Sequence, residues 1–321
     1  MWESPITQHA DLGKSTLFRN VFNATMSYRL DSEFWLPYGS MVRLKIQSYL
    51  ERYGKESLVD MNDSKLDEHW KAINSEKKSS PERGVVSIIS NCNGSGYRKS
   101  LVEELGKLLK LDNGTHALDT FGKCQLKLTQ SSKFQKNKSP LLDCQNADKW
   151  NCVKNLSKNY KFILSIENSR CKDYITEKFF SNALLAGSVP IVAGAKRAVY
   201  EKLAPGSSFI HVDDFESVQD LADRVNYLIG SGEENEKEYA KYHEWRKIEF
   251  DDEIKLTNLE EFNSVGVCGM CNVLWNFKNS GGKLDGYKAL PSVRNWWYAR
   301  ENDHQVCESN AAVDFSINKE F

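Results

Sequence analysis

The sequence carries no excess of charge of either sign. Its 43 Lys and Arg stand against 44 Asp and Glu, a formal net charge of −1 over 321 residues, so no broad positive field is available to hold a nucleic-acid backbone. Long apolar runs are also absent. Apolar residues make up 40% of the chain in short, interrupted stretches, none near the roughly 18 residues needed to cross a bilayer. The start, Met1-Trp2-Glu3-Ser4-Pro5, lacks the basic-then-apolar order of a secretory signal. Neither G-x-G-x-x-G nor G-x-x-x-x-G-K-S/T occurs, which removes the fingerprints of dinucleotide and P-loop sites; H-E-x-x-H and G-x-S-x-G are missing too. The six His are scattered, and Cys268-x-x-Cys271 has no second pair at zinc-finger spacing, which argues against a structural zinc.

What is present points to a secreted or lumenal setting. Eight Cys, and sequons beginning at Asn23, Asn62, Asn93, Asn113, Asn137 and Asn155, favour an oxidising, glycosylating compartment. Cys268-x-x-Cys271 lies in an irregular tail and not at a strand-to-helix junction, so a structural disulfide is expected there. The length suits two compact domains.

Residues 1–50 alternate short apolar runs with turn residues and end in Phe34-Trp35-Leu36-Pro37-Tyr38-Gly39, read as a strand stopped by a turn; residues 51–83 turn polar, as a linker does. Strand and helix patterns then alternate, which predicts a parallel sheet covered by helices. Strands are expected at 85–90, 160–166, 189–192 and 209–212. Leu101, Leu105, Leu108 and Leu109 mark one helix face, residues 176–186 a second helix closed by Gly187, and Val218, Leu221, Val225 and Leu228 a third. The fold class is therefore α/β, with a Rossmann-like half that takes ligands beyond the carboxyl ends of its strands. The last 75 or so residues lack a clear period, although they hold the cluster Trp296-Trp297-Tyr298.

The stretch from Glu167 to Lys178 follows a predicted strand and runs into a predicted helix, where an α/β sheet presents side chains and N–H groups to anions. With a helix starting near Asp173, Tyr174, Glu177 and Lys178 share a face that offers a phenol, a carboxylate and a cation. A nucleoside diphosphate needs such groups, an acceptor pair for ribose hydroxyls and cations for pyrophosphate. The same spacing also suits a solvated helix start with an acidic first turn. A second, weaker candidate is the turn at residues 91–96, with Arg98 behind it.

Three stretches carry a family resemblance: YKFILSIENSRCKDYITEKFFSNALLAGSVPIVAG from Tyr160, FIHVDDFESVQDLADRVNYL from Phe209, and YHEWRK from Tyr242. The chain resembles the α1,3-fucosyltransferases of glycosyltransferase family ten. Weaker matches are Glu3-Ser4-Pro5, residues 22–29, Leu36-Pro37-Tyr38-Gly39, and Ser90-Asn91-Cys92 with Arg98. The resemblance implies a GT-B fold of two Rossmann-like domains, GDP-fucose as donor, an acceptor containing N-acetylglucosamine, and inversion without an obligatory metal, a divalent ion at most stimulating.

By the same resemblance Glu3 is the catalytic base. Arg98, Tyr174 and Lys178 hold the diphosphate, Glu177 the ribose, and Asn168 belongs to the donor site. The implied domains are 1–80, a remnant of the acceptor-side domain plus linker and thus truncated; 81–247, which binds the donor; and 248–321, a tail containing Cys and Trp. Such proteins are expected in the Golgi lumen as type II membrane proteins, held by an upstream anchor absent from this chain. Phe121 stands where relatives usually carry Tyr. Cys171, Lys178-Phe179-Phe180, Asn295-Trp296-Trp297 and Cys307 look more like the enzymes that fucosylate the N-glycan core than like Lewis-antigen enzymes. The alternative is a catalytically inactive, truncated relative that binds a nucleotide sugar or glycan.

Overall fold

The structure, a computed structural model, describes residues 20–39, 84–91, 96–122, 149–247 and 267–281, with isolated residues between 53 and 72 and between 290 and 305. In chain order the elements are β1 (Met26–Ser27), β2 (Phe34–Trp35), β3 (Val85–Ile88), α1 (Gly96–Leu108), β4 (Leu118–Phe121), α2 (Lys149–Ser157) and β5 (Phe162–Ile166). After a π-helical turn (Phe180–Leu184) come β6 (Val189–Ala193), α3 (Arg197–Leu203), β7 (Ile210–His211), α4 (Val218–Ile229), α5 (Glu233–Lys241), α6 (Val267–Asn279), β8 (Arg300–Glu301) and β9 (His304–Gln305).

The central feature is a five-stranded, all-parallel sheet in the order β4-β3-β5-β6-β7. Its inner strands β5 (FILSI) and β6 (VPIVA) are buried at every residue, the continuous apolar pattern of strands covered on both faces. Pro190 is tolerated in β6 for a geometric reason. The Val189 N–H points to Lys161 beside β5, so the donor that Pro190 lacks would point the other way, and β7 begins only opposite Ile191.

Helices cover both faces. Val85, Ile89, Leu101, Leu105, Phe162, Leu164, Leu221 and Val225 share one core, and Val86, Ile163, Leu156 and Ala183 another. The helix α4 shows how the sequence sets a boundary. Ser217 caps it by accepting the Asp220 N–H at 3.1 Å and donating to the Asp220 carboxylate at 2.7 Å, and the stripe Val218, Leu221, Ala222, Val225, Leu228 and Ile229 is buried.

The expected strands at 85–90, 160–166, 189–192 and 209–212 all appear, each within a few residues of its expected bounds. The expected helix at 176–186 does not. Only Phe180–Leu184 is helical, and its bonds are of the i to i+5 kind, such as Asn182 N–H to Glu177 C=O at 2.9 Å and Leu185 N–H to Phe180 C=O at 2.9 Å. These i to i+5 bonds replace the α-helical ladder, and upstream Asp173 sits in the left-handed region at φ 58° while the Thr176 N–H is satisfied by the Glu167 carboxylate.

The tail is also more ordered than its sequence suggests, since α6 is a 13-residue helix. Cys271 lies on α6 as a free, exposed thiol, which corrects the expected Cys268–Cys271 disulfide: the helix turns this side chain to solvent. Within the span read as a linker, Tyr53 and His69 are helical, and their rings meet at 5.6 Å. Trp245 packs in the core beside Phe179, Phe209 and Tyr200. No helix among the described residues is long and apolar enough to cross a membrane.

Candidate functional site

Strand order fixes where a ligand should bind. The chain leaves β3 towards β4 on one side, whereas β5, β6 and β7 build outward on the other, so the crossovers diverge between β3 and β5 and open a crevice at their carboxyl ends. Asn91 follows β3, and Glu167 and Asn168 follow β5. The first turn of α1 ties the two rims together. The Tyr97 hydroxyl donates to the Glu167 carbonyl at 2.6 Å, and Arg98 Nη2 donates to the Asn91 carbonyl at 2.6 Å. Residues 92–95, the rest of that turn, lie outside the described residues.

Glu167 is the hub of the crevice and is fully buried. Its Oε1 accepts the Thr176 N–H at 2.8 Å and the Thr176 hydroxyl at 2.7 Å, and its Oε2 accepts Lys178 Nζ at 2.9 Å. Lys178 Nζ also donates to Thr176 Oγ1 at 2.8 Å and to Glu177 Oε1 at 3.3 Å. Every partner of the Glu167 carboxylate is a donor, the arrangement expected of an ionised carboxylate. Burial pushes its pKa up, and the Lys178 ammonium opposes that rise. For Lys178, burial pulls the pKa down and Glu167, with Glu177, more than restores it, leaving the ammonium firmly charged. Gly194, just past β6, makes room for this group: a Cβ there would stand 2.9 Å from Glu167 Cγ.

A second layer holds the loop from outside. Leu30 N–H donates to Asp173 Oδ2 at 3.0 Å, and the Tyr174 ring lies 5.0 Å from that of Tyr28. Arg29 is buried, donates through Nε to Asp31 at 2.8 Å and stacks 4.3 Å from the Trp296 ring. Lys172 Nζ reaches Asp31 at 3.1 Å. On the other flank Arg170 makes a two-point bridge to Asp213 at 3.1 and 2.6 Å, beside the Tyr97 ring.

Of the residues predicted from sequence, Arg98, Asn168, Tyr174, Glu177 and Lys178 all fall at this crevice. Arg98 is bonded to Asn91 at the β3 rim, and Tyr174 lies on the Glu167–Lys178 loop of the β5 rim, its ring against Tyr28. Tyr174, Glu177 and Lys178 lie together for a reason other than the expected one: a loop folded round Glu167 carries them, not a shared α-helical face, while Arg98 stands on α1. Burial pushes the Tyr174 phenol up, so it stays a neutral donor at physiological pH. Glu3, the expected base, lies outside the described residues. Sequence reasoning missed Glu167, Thr176 and Tyr97. The available signal was a carboxylate directly after a fully apolar strand, a position where burial demands a partner. Among the described residues no group of three or more His, Cys, Asp or Glu gathers as a metal site would.

An α/β sheet whose switch-point crevice combines an arginine, a lysine and paired carboxylates has groups suited to an anion flanked by hydroxyls. The profile of glycosyltransferase family 10 (fucosyltransferase), C-terminal region, matches residues 76–296, and the chain belongs to that family. It is 31% identical over 301 residues to the alpha-(1,3)-fucosyltransferase fut-5 of Caenorhabditis elegans, covering 94% of this chain and 64% of that protein. To alpha-(1,3)-fucosyltransferase 7 of Homo sapiens it is 33% identical over 244 residues, covering 76% and 53%. To the glycoprotein 3-alpha-L-fucosyltransferase A of Drosophila melanogaster it is 29% identical over 301 residues, covering 94% and 47%. The chain thus spans between 47% and 64% of the length of these relatives. A crystal structure of an α1,3-fucosyltransferase with GDP-fucose matches over 54% of this chain and 42% of that one, at 21% identity and a TM-score of 0.38.

Proposed function

We propose that the chain is the donor-binding and catalytic region of an inverting α1,3-fucosyltransferase, moving L-fucose from GDP-fucose to N-acetylglucosamine of N-glycans or other glycoconjugates. The observation that carries this reading is the pairing of Lys178 with Glu177 round the buried Glu167 at one rim of a switch-point crevice, with Arg98 bonded to Asn91 at the other. Inversion by single displacement requires one carboxylate to take the proton of the attacking sugar hydroxyl, and Glu3 of the E-S-P triplet is assigned that role. Negative charge then develops on the departing GDP. Arg98 and Lys178 are the preorganised cations for it, and Glu177 is the acceptor for ribose hydroxyls, with Asn168 beside them. No obligatory metal is invoked.

Around this region we place a GT-B architecture, with residues 1–80 on the acceptor side, 81–247 on the donor side and 248–321 as the tail. The setting we assign is the Golgi lumen. Cys152 and Cys171 are each engaged in a disulfide, which supports an oxidising compartment. The printed name of the Drosophila melanogaster relative, a glycoprotein fucosyltransferase, supports a glycoprotein acceptor.

Calorimetry of GDP and GDP-fucose with the purified chain tests the reading. Arg98→Gln and Lys178→Ala should each weaken binding by about 1.5–3 kcal/mol, the range for charge-assisted hydrogen bonds. Unchanged affinity in both would remove the diphosphate site from this crevice.

A further inference from the structure

The Lys178 ammonium has three protons to donate, and the structure shows all three directed at oxygen: Glu167 at 2.9 Å, Thr176 at 2.8 Å and Glu177 at 3.3 Å. These acceptors are not equivalent. Glu167 is fully buried and Thr176 is 1% exposed, and each is locked by its own further bonds, since Thr176 donates both its N–H and its hydroxyl to Glu167. The Glu177 side chain is 25% exposed, makes the longest of the three contacts, and lies next to the crevice. The backbone of Glu167 is itself pinned by the Tyr97 hydroxyl at 2.6 Å, so its carboxylate is anchored to β5 and to α1 at once.

We infer that Glu167 is the positioning residue of the donor site: with Thr176 as its bridge, it holds two of the three Lys178 donors in place and leaves the third to pass from Glu177 to a diphosphate oxygen. The inference rests on the reading of this crevice as a nucleoside-diphosphate site. It follows that Glu177 leaves Lys178 when the diphosphate arrives and is then available to ribose hydroxyls. Two adjacent residues with opposite charges thereby serve two parts of one ligand in sequence. Glu167 itself never touches the ligand. Its buried charge fixes the direction of the lysine and keeps the ammonium protonated, an arrangement in which the lysine side chain is ordered before the ligand binds.

The test is a binding cycle on the full chain, read by calorimetry with GDP and with guanosine, which lacks the phosphates. Glu167→Gln keeps size and shape but replaces the acceptor facing Lys178 by an amide. It is expected to weaken GDP at least tenfold while leaving guanosine within about twofold, a split that a general loss of structure would not give. In combination with Lys178→Ala it should weaken GDP no further than Lys178→Ala does alone. Thr176→Val should reproduce part of the loss and Thr176→Ser should restore it, which keeps the inference testable if Glu167→Gln fails to fold. Should Lys178→Ala weaken GDP while Glu167→Gln and Thr176→Val leave it unchanged, or should the effects of Glu167→Gln and Lys178→Ala simply add, the positioning role is overturned. If Lys178→Ala itself has no effect on GDP, the diphosphate reading falls and takes this inference with it.

Discussion

Replacing Lys178 by Ala also tests the electrostatics of the unliganded fold. It leaves a fully buried Glu167 carboxylate with its Thr176 bonds but no counter-charge. Removing one partner of a buried ion pair typically costs about 3–5 kcal/mol. Because Thr176 still donates twice and the Lys178 side chain is 23% exposed, the lower end, about 3 kcal/mol, is expected at pH 7.5. The pH dependence follows from the direction of the shift. Burial already raises the Glu167 pKa above its ordinary value of 4.5, and Lys178 is the largest opposing influence, so in the variant the folded-state pKa rises further.

A carboxyl whose folded pKa lies above its unfolded value contributes stability below the unfolded value and loses it as pH rises through the folded pKa. The deficit of Lys178→Ala relative to the parent should therefore shrink on acidification from pH 7.5 to 5.5, by at most about 1.4 kcal/mol per pH unit. Adding Glu167→Gln removes the stranded charge and should recover about 1 kcal/mol or more at pH 7.5. Urea unfolding followed by circular dichroism at both pH values reads all three quantities. A penalty below about 1 kcal/mol that is the same at both pH values would refute the account of Glu167 as a buried ion held by Lys178.

Two further predictions rest on other parts of the sheet. Gly122 follows β4 at φ 107°, where a Cβ would stand 2.1 Å from the Ile89 carbonyl oxygen, so Gly122→Ala should cost about 2–4 kcal/mol from backbone strain and overpacking, seen as a lower urea midpoint. His211 is fully buried with Nε2 at 3.0 Å from the Ala195 carbonyl and Nδ1 accepting the Asp213 N–H at 3.2 Å, a neutral ring whose pKa burial holds below the usual 6.5. Its unfolded state takes up a proton first as pH falls, so it lowers stability progressively below about pH 6.5, and His211→Gln should flatten that slope in unfolding measured from pH 7.5 to 5.

The sheet was legible because its inner strands are continuous β-rich runs: Phe162–Ile166 and Val189–Ala193 could hardly be anything but buried strands. The strand Leu118–Phe121 was not singled out, since an edge position half-exposes Asp119 and Thr120 and removes the apolar signal. The helix Glu233–Lys241 was missed for the same reason, Tyr239 being its one buried residue. Residues 176–186 carry helical spacing, yet Phe180–Leu184 closes with i to i+5 bonds that the apolar spacing does not announce. The long-range fold explains the site. Glu177 and Lys178 announce themselves by charge, whereas the importance of Glu167 exists only once the loop has closed, and the Arg170–Asp213 bridge spans 43 residues of sequence.

The most direct test of the central claim is transfer itself: incubation of the purified, folded chain with GDP-fucose and an N-glycan bearing N-acetylglucosamine, with linkage and anomeric configuration read by nuclear magnetic resonance. The account predicts fucose joined α1,3 to N-acetylglucosamine with inverted configuration at the anomeric carbon. Retention of configuration, or no transfer by a folded chain that binds GDP-fucose, would contradict it.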